Sequence, residues 1–471
     1  MRRLLGIGSL YTLGGAAQLA ASAAAVPAIT RLLGAGDYGR VTVVVAVVAV
    51  LAPAIALGLP AAIPRLFFGA EDLAAPGPQM ARKLVGTCAA AAALGAAATA
   101  ATALLWGSWL EPVDRLSLLI GIATALPLIV LGATMSVLQV EQRPVPYIVV
   151  SLVGSAGAQV LGIAALLLVE ASPTAYLGGY AAGVSAAALA GAMLSGTLTA
   201  GIADARTIRA ALAIGAPTIP HAMAIFVLAL GDRLVIQSID GTVAVGRYQV
   251  AYALGALPIA LLAALQTAWV PITFGAAEDR RWDDLASSAA VISRLGAVLV
   301  AALVVLSPVG LAALAPASFD PGKLEAVCAL VALGALPWCI YLPMSQVLFW
   351  ERQTKPLLWV TPAAAVANLV LAAVLLPPFG LEGAAAATFL ALALQAVLLE
   401  RVTRRMAPVP WRWRAMLGNV AAGALTVGVV LALPGGAAGA LLRGMLLIVL
   451  LLVGAKTVAD AARRGPPARA A

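Results

Sequence analysis

Runs of apolar residues long enough to cross a hydrocarbon core, about 20 residues for a helix, follow one another along almost the whole chain. They occupy 5–33, 41–64, 83–106, 116–139, 147–169 and 174–200, and continue at 208–231, 243–273, 286–312, 324–350, 357–377, 381–400, 415–433 and 437–459. None of the polar segments between them is long enough for a folded soluble domain. The pattern predicts an all-α polytopic membrane protein of about 14 transmembrane helices. The eighth run has the length to tilt or to bend at Pro258. The opening MRR, its apolar run and ASAAA imitate a secretory signal. That run is too long for a signal and leads straight into another, so it is read as helix 1.

Composition agrees, since 63% hydrophobic residues against 10% charged leave too little polar surface for a soluble fold. The charges carry orientation, because Lys and Arg of short loops stay on the cytoplasmic side. With the N-terminus inside, 22 of the 29 Lys and Arg fall on inner segments. The outer segments hold Arg31, Arg40, Arg115, Arg233, Arg247, Lys323 and Arg443. This split predicts both termini inside. It reads the net charge of +9 as a topology signal with an attraction to anionic inner-leaflet lipid, and gives no case for nucleic acid. Cys88, Cys328 and Cys339 lie in apolar runs at irregular spacing, unsuited to a disulfide framework or a zinc knuckle, and His221 is the single histidine. Neither a metal nor a cofactor is expected.

Comparing 37–72 with 244–279, an offset of 207, gives 12 identities in 36, where this Ala-rich composition gives roughly four by chance. The informative matches are Gly39-Arg40 with Gly246-Arg247, Pro64 with Pro271, and an FxxAED ending that places Glu71-Asp72 against Glu278-Asp279. A second echo pairs MSVLQVEQRP at 135–144 with MSQVLFWERQTKP at 344–356. Six runs separate the copies, an even number, so both copies face the cytoplasm. The spacing predicts a parallel repeat: a six-helix lobe over 1–206, a second over 207–405, and two extra helices with a basic tail over 406–471. Transporters of this build hold the substrate path between lobes that rock. The acidic pairs then sit at inner helix ends, outside that path.

Three segments, RLLGAGDYGR (31–40), GDRLVIQSIDGTVAVGRYQVAYALGALP (231–258) and NLVLAAVLLPPFGLEGAAAAT (368–388), resemble the polysaccharide-exporting branch of the multidrug/oligosaccharidyl-lipid/polysaccharide exporter superfamily. The resemblance covers about the first 400 residues. It implies a flippase that moves a polyprenyl-pyrophosphate-linked oligosaccharide across a bacterial plasma membrane, with polysaccharide polymerase or export machinery as further partners.

A transported pyrophosphate needs cations to replace its hydration, and a guanidinium fork binds two phosphate oxygens at once. Arg31, Arg40, Arg233 and Arg247 fall on the equivalent hairpins 1–2 and 7–8 and are the expected substrate-binding set, Arg31 and Arg233 foremost. The same residues also suit local pairing with Asp37, Asp232 and Asp240. Pro27 in helix 1, and Pro217 and Pro220 in APTIPHAMAIF of helix 7, each remove a backbone hydrogen bond and predict bends, either flexing or static. His221, Asp232, Gln18 and Asn368 are candidates for a cavity lining or for H+ or Na+ coupling. They equally suit helix-to-helix hydrogen bonding. GAGDYG at 34–39 fits a dinucleotide fingerprint but lies between two spans with no preceding strand, so that reading fails. Trp411 and Trp413 in PVPWRWRAM stand among arginines as interfacial anchors do.

Three rivals share parts of this description. A cation-coupled multidrug exporter of the same superfamily is expected to hold a carboxylate within the N-terminal helices, where this chain keeps its acids at span ends. A lipid II flippase also has fourteen helices and a cationic cavity. A membrane polysaccharide polymerase or ligase needs a long outer loop with catalytic groups, and the outer loops here are short.

Overall fold

A helix satisfies its own backbone N–H and C=O groups, which makes it the natural form for apolar runs with no water to bond to. The computed structural model of this chain is accordingly 88% helical, with no strand among the described residues. Residues 2–68, 77–274, 278 and 280–463 are described, and the side chains of 2–20, 267–268, 270–274 and 461–462 lie outside that description. So do Glu71, Asp72 and Asp279, and Gln18 is placed only as helical backbone.

By packing, the chain forms two compact units, Met1–Gly246 and Arg247–Ala471. The first contains α1 (Arg2–Ile55), α2 (Leu59–Phe68), α3 (Pro78–Trp106), α4 (Arg115–Val140), α5 (Pro144–Leu152), α6 (Ala158–Leu168), α7 (Pro173–Leu194), α8 (Ala205–Gly215), α9 (Ile219–Leu230) and the start of α10 (Asp232–Gly255). Local chemistry sets the starts of these helices. Pro78, Pro144 and Pro173 occupy first turns, where a missing N–H costs nothing. Asp114, Ser172 and Asp204 cap α4, α7 and α8 by accepting the amides of Ser117, Ala175, and both Arg206 and Thr207. Within this unit α4 and α6 pack on α7, α3 on α4, and α1 on α9 and α4.

The second unit holds α11 (Leu257–Phe274), α12 (Arg281–Leu314), α13 (Glu325–Leu333), α14 (Ala335–Trp350), α15 (Leu357–Thr403), α16 (Trp413–Leu431) and α17 (Gly436–Arg463). α12 is its axis and packs on α16, α17, α14 and α13, burying Val300, Val304, Leu336 and Cys339 together. Small residues permit that approach: a Cβ on Gly296 of α12 would stand 2.1 Å from the Cys339 sulfur of α14.

Eleven helices among the described residues are long and apolar enough to cross a membrane, against fourteen runs in the sequence. The difference has a physical cause. α1 has 54 residues and α15 has 47, roughly 80 and 70 Å of helix, more than twice a hydrocarbon core. Both break at a glycine, Gly34 (φ 74°, ψ 175°) and Gly380 (φ 58°, ψ −148°), and α10 breaks at Gly241 (φ 79°, ψ −178°). A positive φ of this kind excludes most side chains and costs glycine nothing sterically. At Gly380 the chain turns back sharply enough that a Cβ on Gly383 would meet the Leu375 carbonyl oxygen at 2.1 Å.

The second sequence echo has a matching backbone. The amides of Glu141, Gln142 and Arg143 bond to the carbonyls of Val137, Gln139 and Leu138, and those of Glu351, Arg352 and Gln353 to Val347, Phe349 and Leu348. In each the middle residue is left-handed, Gln142 at φ 55° and Arg352 at φ 53°. Both helices thus end on the same motif, which satisfies their last carbonyls.

Candidate functional site

The hairpin glycines organise the arginines. Gly34 lies between Arg31 and Arg40, and Gly241, 207 positions later, lies between Arg233 and Arg247. Beyond each bend the helix restarts at once, and in the first unit the two restarts touch. A Cβ on Gly39 would lie 1.9 Å from the Thr242 carbonyl oxygen, and one on Gly246 would lie 2.0 Å from that of Ala35. Positions 35 and 242, and 39 and 246, are each 207 apart, so the contact is reciprocal, as at a two-fold axis. Gly36 faces Val243, its own counterpart at that spacing, at 3.6 Å. Backbone packs on backbone here, and only glycine leaves the room.

The four arginines meet different surroundings. Arg31 is exposed and donates to the Pro27 carbonyl at 2.8 Å. Arg40 is ion-paired with Asp37 at 2.9 Å. Arg233 has no exposed surface, and neither has Asp232, with which it pairs, while it also donates to the Ala229 carbonyl. Arg247, in the second unit, pairs with Asp320 at 2.9 Å, and Lys323 flanks the same carboxylate at 3.8 Å. Two of the partners foreseen from sequence, Asp37 and Asp232, are used. The third arginine partner is Asp320 in place of Asp240. Asp320 lies on a loop more than seventy residues from Arg247, and nothing in the local sequence pointed to it.

A second close approach lies in the same unit just after the C-terminal end of α1. The turn Ala56–Gly58 joins α1 to α2, and Gly58 (φ 66°) meets Gly215, the last residue of α8. A Cβ on Gly58 would stand 2.2 Å from the Gly215 carbonyl oxygen, and the reverse distance is 2.4 Å. Immediately after Gly215, Pro217 lies in a single 3-10 turn, Ala216–Thr218, and Pro220 opens α9. The proline pair therefore separates α8 from α9. His221 follows, half-buried in the first turn of α9. Pro27 lies within α1, where its carbonyl accepts Thr30 Oγ1 as well as Arg31.

Other polar groups brace the helices. Gln237 donates to the Glu111 carbonyl at 2.9 Å, tying α10 to the segment before α4. The Asp114 cap on that segment also accepts Thr174 Oγ1. Burial raises the Asp114 carboxyl, but hydrogen bonds from the Ser117 side chain and amide more than offset this, and its pKa falls below the ordinary carboxylate value. Glu141 receives both Arg82 (3.1 Å) and Arg143 (3.4 Å). In the second unit Asn368 is fully buried in α15, and Gln395 donates to Thr361 Oγ1 at 3.2 Å.

Comparisons with known proteins bear on this arrangement. The family model described as polysaccharide biosynthesis protein matches residues 5–275. No curated protein matches the chain. Among solved structures, the lipid II flippase MurJ in an inward closed conformation superposes with a TM-score of 0.75 over 98% of this chain and 99% of that one, at 12% identity. An inward-facing multidrug resistance MATE family transporter of the MOP superfamily gives 0.63 over 84% and 94%, at 15% identity. A MOP superfamily transporter from Pyrococcus furiosus gives 0.51 over 85% and 93%, also at 15% identity. At these identities the likeness is one of fold.

Proposed function

The chain belongs to the polysaccharide biosynthesis protein family, with the fold of MOP superfamily transporters, and from that premise we propose that it flips a polyprenyl-pyrophosphate-linked oligosaccharide across a bacterial plasma membrane. Family and fold make it a multi-pass membrane transporter rather than an enzyme. In our reading it crosses the membrane fourteen times, because the three spans broken at Gly34, Gly241 and Gly380 each cross twice. Both termini lie inside, which puts these three bends on the outer side. The lobes 1–206 and 207–405 form the parallel repeat, and 406–471 is appended.

The observation that carries the reading is the pair of glycine-broken hairpins, 207 residues apart and in reciprocal contact, each bracketed by two arginines. Alternating access needs a contact that closes one end of a path and can be released. The Gly39/Gly246 crossing suits the outer end and the Gly58/Gly215 contact the inner. Arg31 presents an exposed guanidinium for the pyrophosphate. Arg40 and Arg247 would exchange their carboxylates for it, and Arg233 would join only when the crossing opens. His221 and Asp232 are the candidates for H+ or Na+ coupling, read out as pH and Na+ dependence of transport.

A deletion strain tests the proposal. It should accumulate finished lipid-linked repeat units on the inner leaflet, and the wild-type chain should relieve this. Accumulation on the outer leaflet would point to a polymerase. Full export by both Arg31→Ala and Arg233→Ala at normal protein levels would remove the arginines from the mechanism. A second reading, transport of lipid II, is favoured by the near-complete superposition on MurJ. It predicts that the same strain accumulates peptidoglycan precursor instead.

A further inference from the structure

The end of α15 and the start of α16 carry an unusual charge. Between 400 and 414 stand five arginines, 401, 404, 405, 412 and 414, and one acid, Glu400. All five arginines are exposed. Among the described residues none of the ion pairs uses any of them. Other arginines are already engaged: Arg82 and Arg143 on Glu141, and Arg281 over the rings of Trp282 (4.8 Å) and Trp350 (5.2 Å). Arg401, Arg404 and Arg405, with Glu400, line an open cleft of about 560 Å³. α16 opens at Arg412 with no side chain capping its first amides, so its positive end adds to the same field.

Position selects the occupant. One candidate membrane span ends at Thr403 and the next begins at Trp413, so the cluster lies at a membrane boundary. Trp411 and Trp413 pack half-buried on the core of Leu357, Val360 and Leu399, with ring centroids 6.4 Å apart. Indole rings held this way sit at headgroup depth. A net excess of unpaired guanidiniums at that depth meets lipid phosphate before any solute, and each guanidinium can engage two phosphate oxygens.

We propose that this cleft is a binding site for the phosphate headgroup of an anionic phospholipid, in the inner leaflet under the topology given above. It depends on membrane placement and not on the transported cargo, and none of the arginines assigned to transport takes part.

The test uses the full-length protein in detergent, with phosphatidylglycerol, phosphatidylcholine or inorganic phosphate titrated in. Bound lipid is counted by native mass spectrometry, alongside the thermal midpoint. Phosphatidylglycerol is expected to bind and to raise the midpoint where phosphatidylcholine and phosphate do not. Arg404→Gln/Arg405→Gln should weaken this about twenty-five-fold, at about fivefold per removed cation. Arg206→Gln/Arg209→Gln, an exposed pair removed from α8, should stay within about twofold. If the first variant does not fold, Arg401→Gln, another arginine of the cleft, should weaken binding about fivefold. Equal losses in the α8 control would reduce the effect to net charge and overturn the site. Retained binding in the cleft variants would do the same, and saturation by inorganic phosphate would make it a small-anion site instead. Export assayed in the same variants separates this outcome from that of the transport reading.

Discussion

Two close backbone approaches in the first unit look alike and are built differently. At the crossing, Gly39 and Gly246 are in helical backbone with counterparts at the 207-residue spacing, and a facing backbone carbonyl group stands where a Cβ would go. At the turn, Gly58 carries a left-handed φ of 66° as well, and its counterpart at that spacing is Leu265, so the contact has no twin. The crossing joins positions 207 residues apart in sequence. The turn belongs to one local break between α1 and α2 that meets the end of α8, just before Pro217. A symmetric contact couples two equivalent hairpins, whereas the other joins dissimilar elements. That difference suits two ends of a path that open at different times.

The largest expected effect tests what supports the crossing. Arg233→Ala leaves Asp232 buried without its cation, on the helix that carries Gly246, and should cost about 3–5 kcal/mol. The thermal midpoint and membrane yield should both fall. Wild-type stability in this variant would show the pair to be dispensable and weaken the contrast between Arg233 and Arg31. Gly58→Ala comes next, because overpacking of about 1–3 kcal/mol is joined by about 1–2 kcal/mol for the left-handed residue. Gly39→Ala adds no backbone strain and should cost only the overpacking, about 1–3 kcal/mol. If the two glycine variants were equally destabilised, the distinction drawn above would fail.

The same pair of variants should differ in conformation. Gly39→Ala is expected to hold the outer end open, raising the labelling of a cysteine introduced by Arg31→Cys by an impermeant maleimide from outside. Gly58→Ala should lower it. The three native cysteines are buried and give little background.

A smaller effect comes from the segment that Gln237 ties to α10. Asp114→Ala removes the cap of α4, worth about 1 kcal/mol or less at this exposed position. The Asp114 pKa is depressed in the folded chain, so its contribution is present above the ordinary carboxylate range and is lost as pH falls through the lower folded value. A wild-type acid transition that Asp114→Ala lacks would verify the sign. Arg31→Ala should change stability least, within about 0.5 kcal/mol for an exposed residue. It should still abolish most export, which separates a transport role from a packing one.

Much of this was legible in the residues. The apolar runs map onto helices, and at three places one membrane-length helical span joins two runs across a glycine break, which a pattern of apolar residues passes over. FxxAED revealed the 207-residue spacing, while the residues that the spacing brings into contact are Gly36, Gly39, Val243 and Gly246. Arg233 read as a ligand because it ends a helix near its repeat hairpin. Its complete burial depends on neighbours that no local pattern names. Gly58 and Gly215 stood out in no motif, since this chain has 45 glycines and most have nothing to distinguish them in sequence.

The sequence by itself determined the solvent, the helical class and the 207-residue spacing between like segments. These follow from hydrophobicity, charge and identity, which accumulate residue by residue along the chain. Only the tertiary structure decided which glycines admit a neighbouring carbonyl, that Arg247 is paired by Asp320, and that Arg233 is closed off while Arg31 is open. Those are properties of distances between segments far apart in sequence. In a chain so rich in alanine and glycine, many pairings satisfy composition equally well, and packing selects among them.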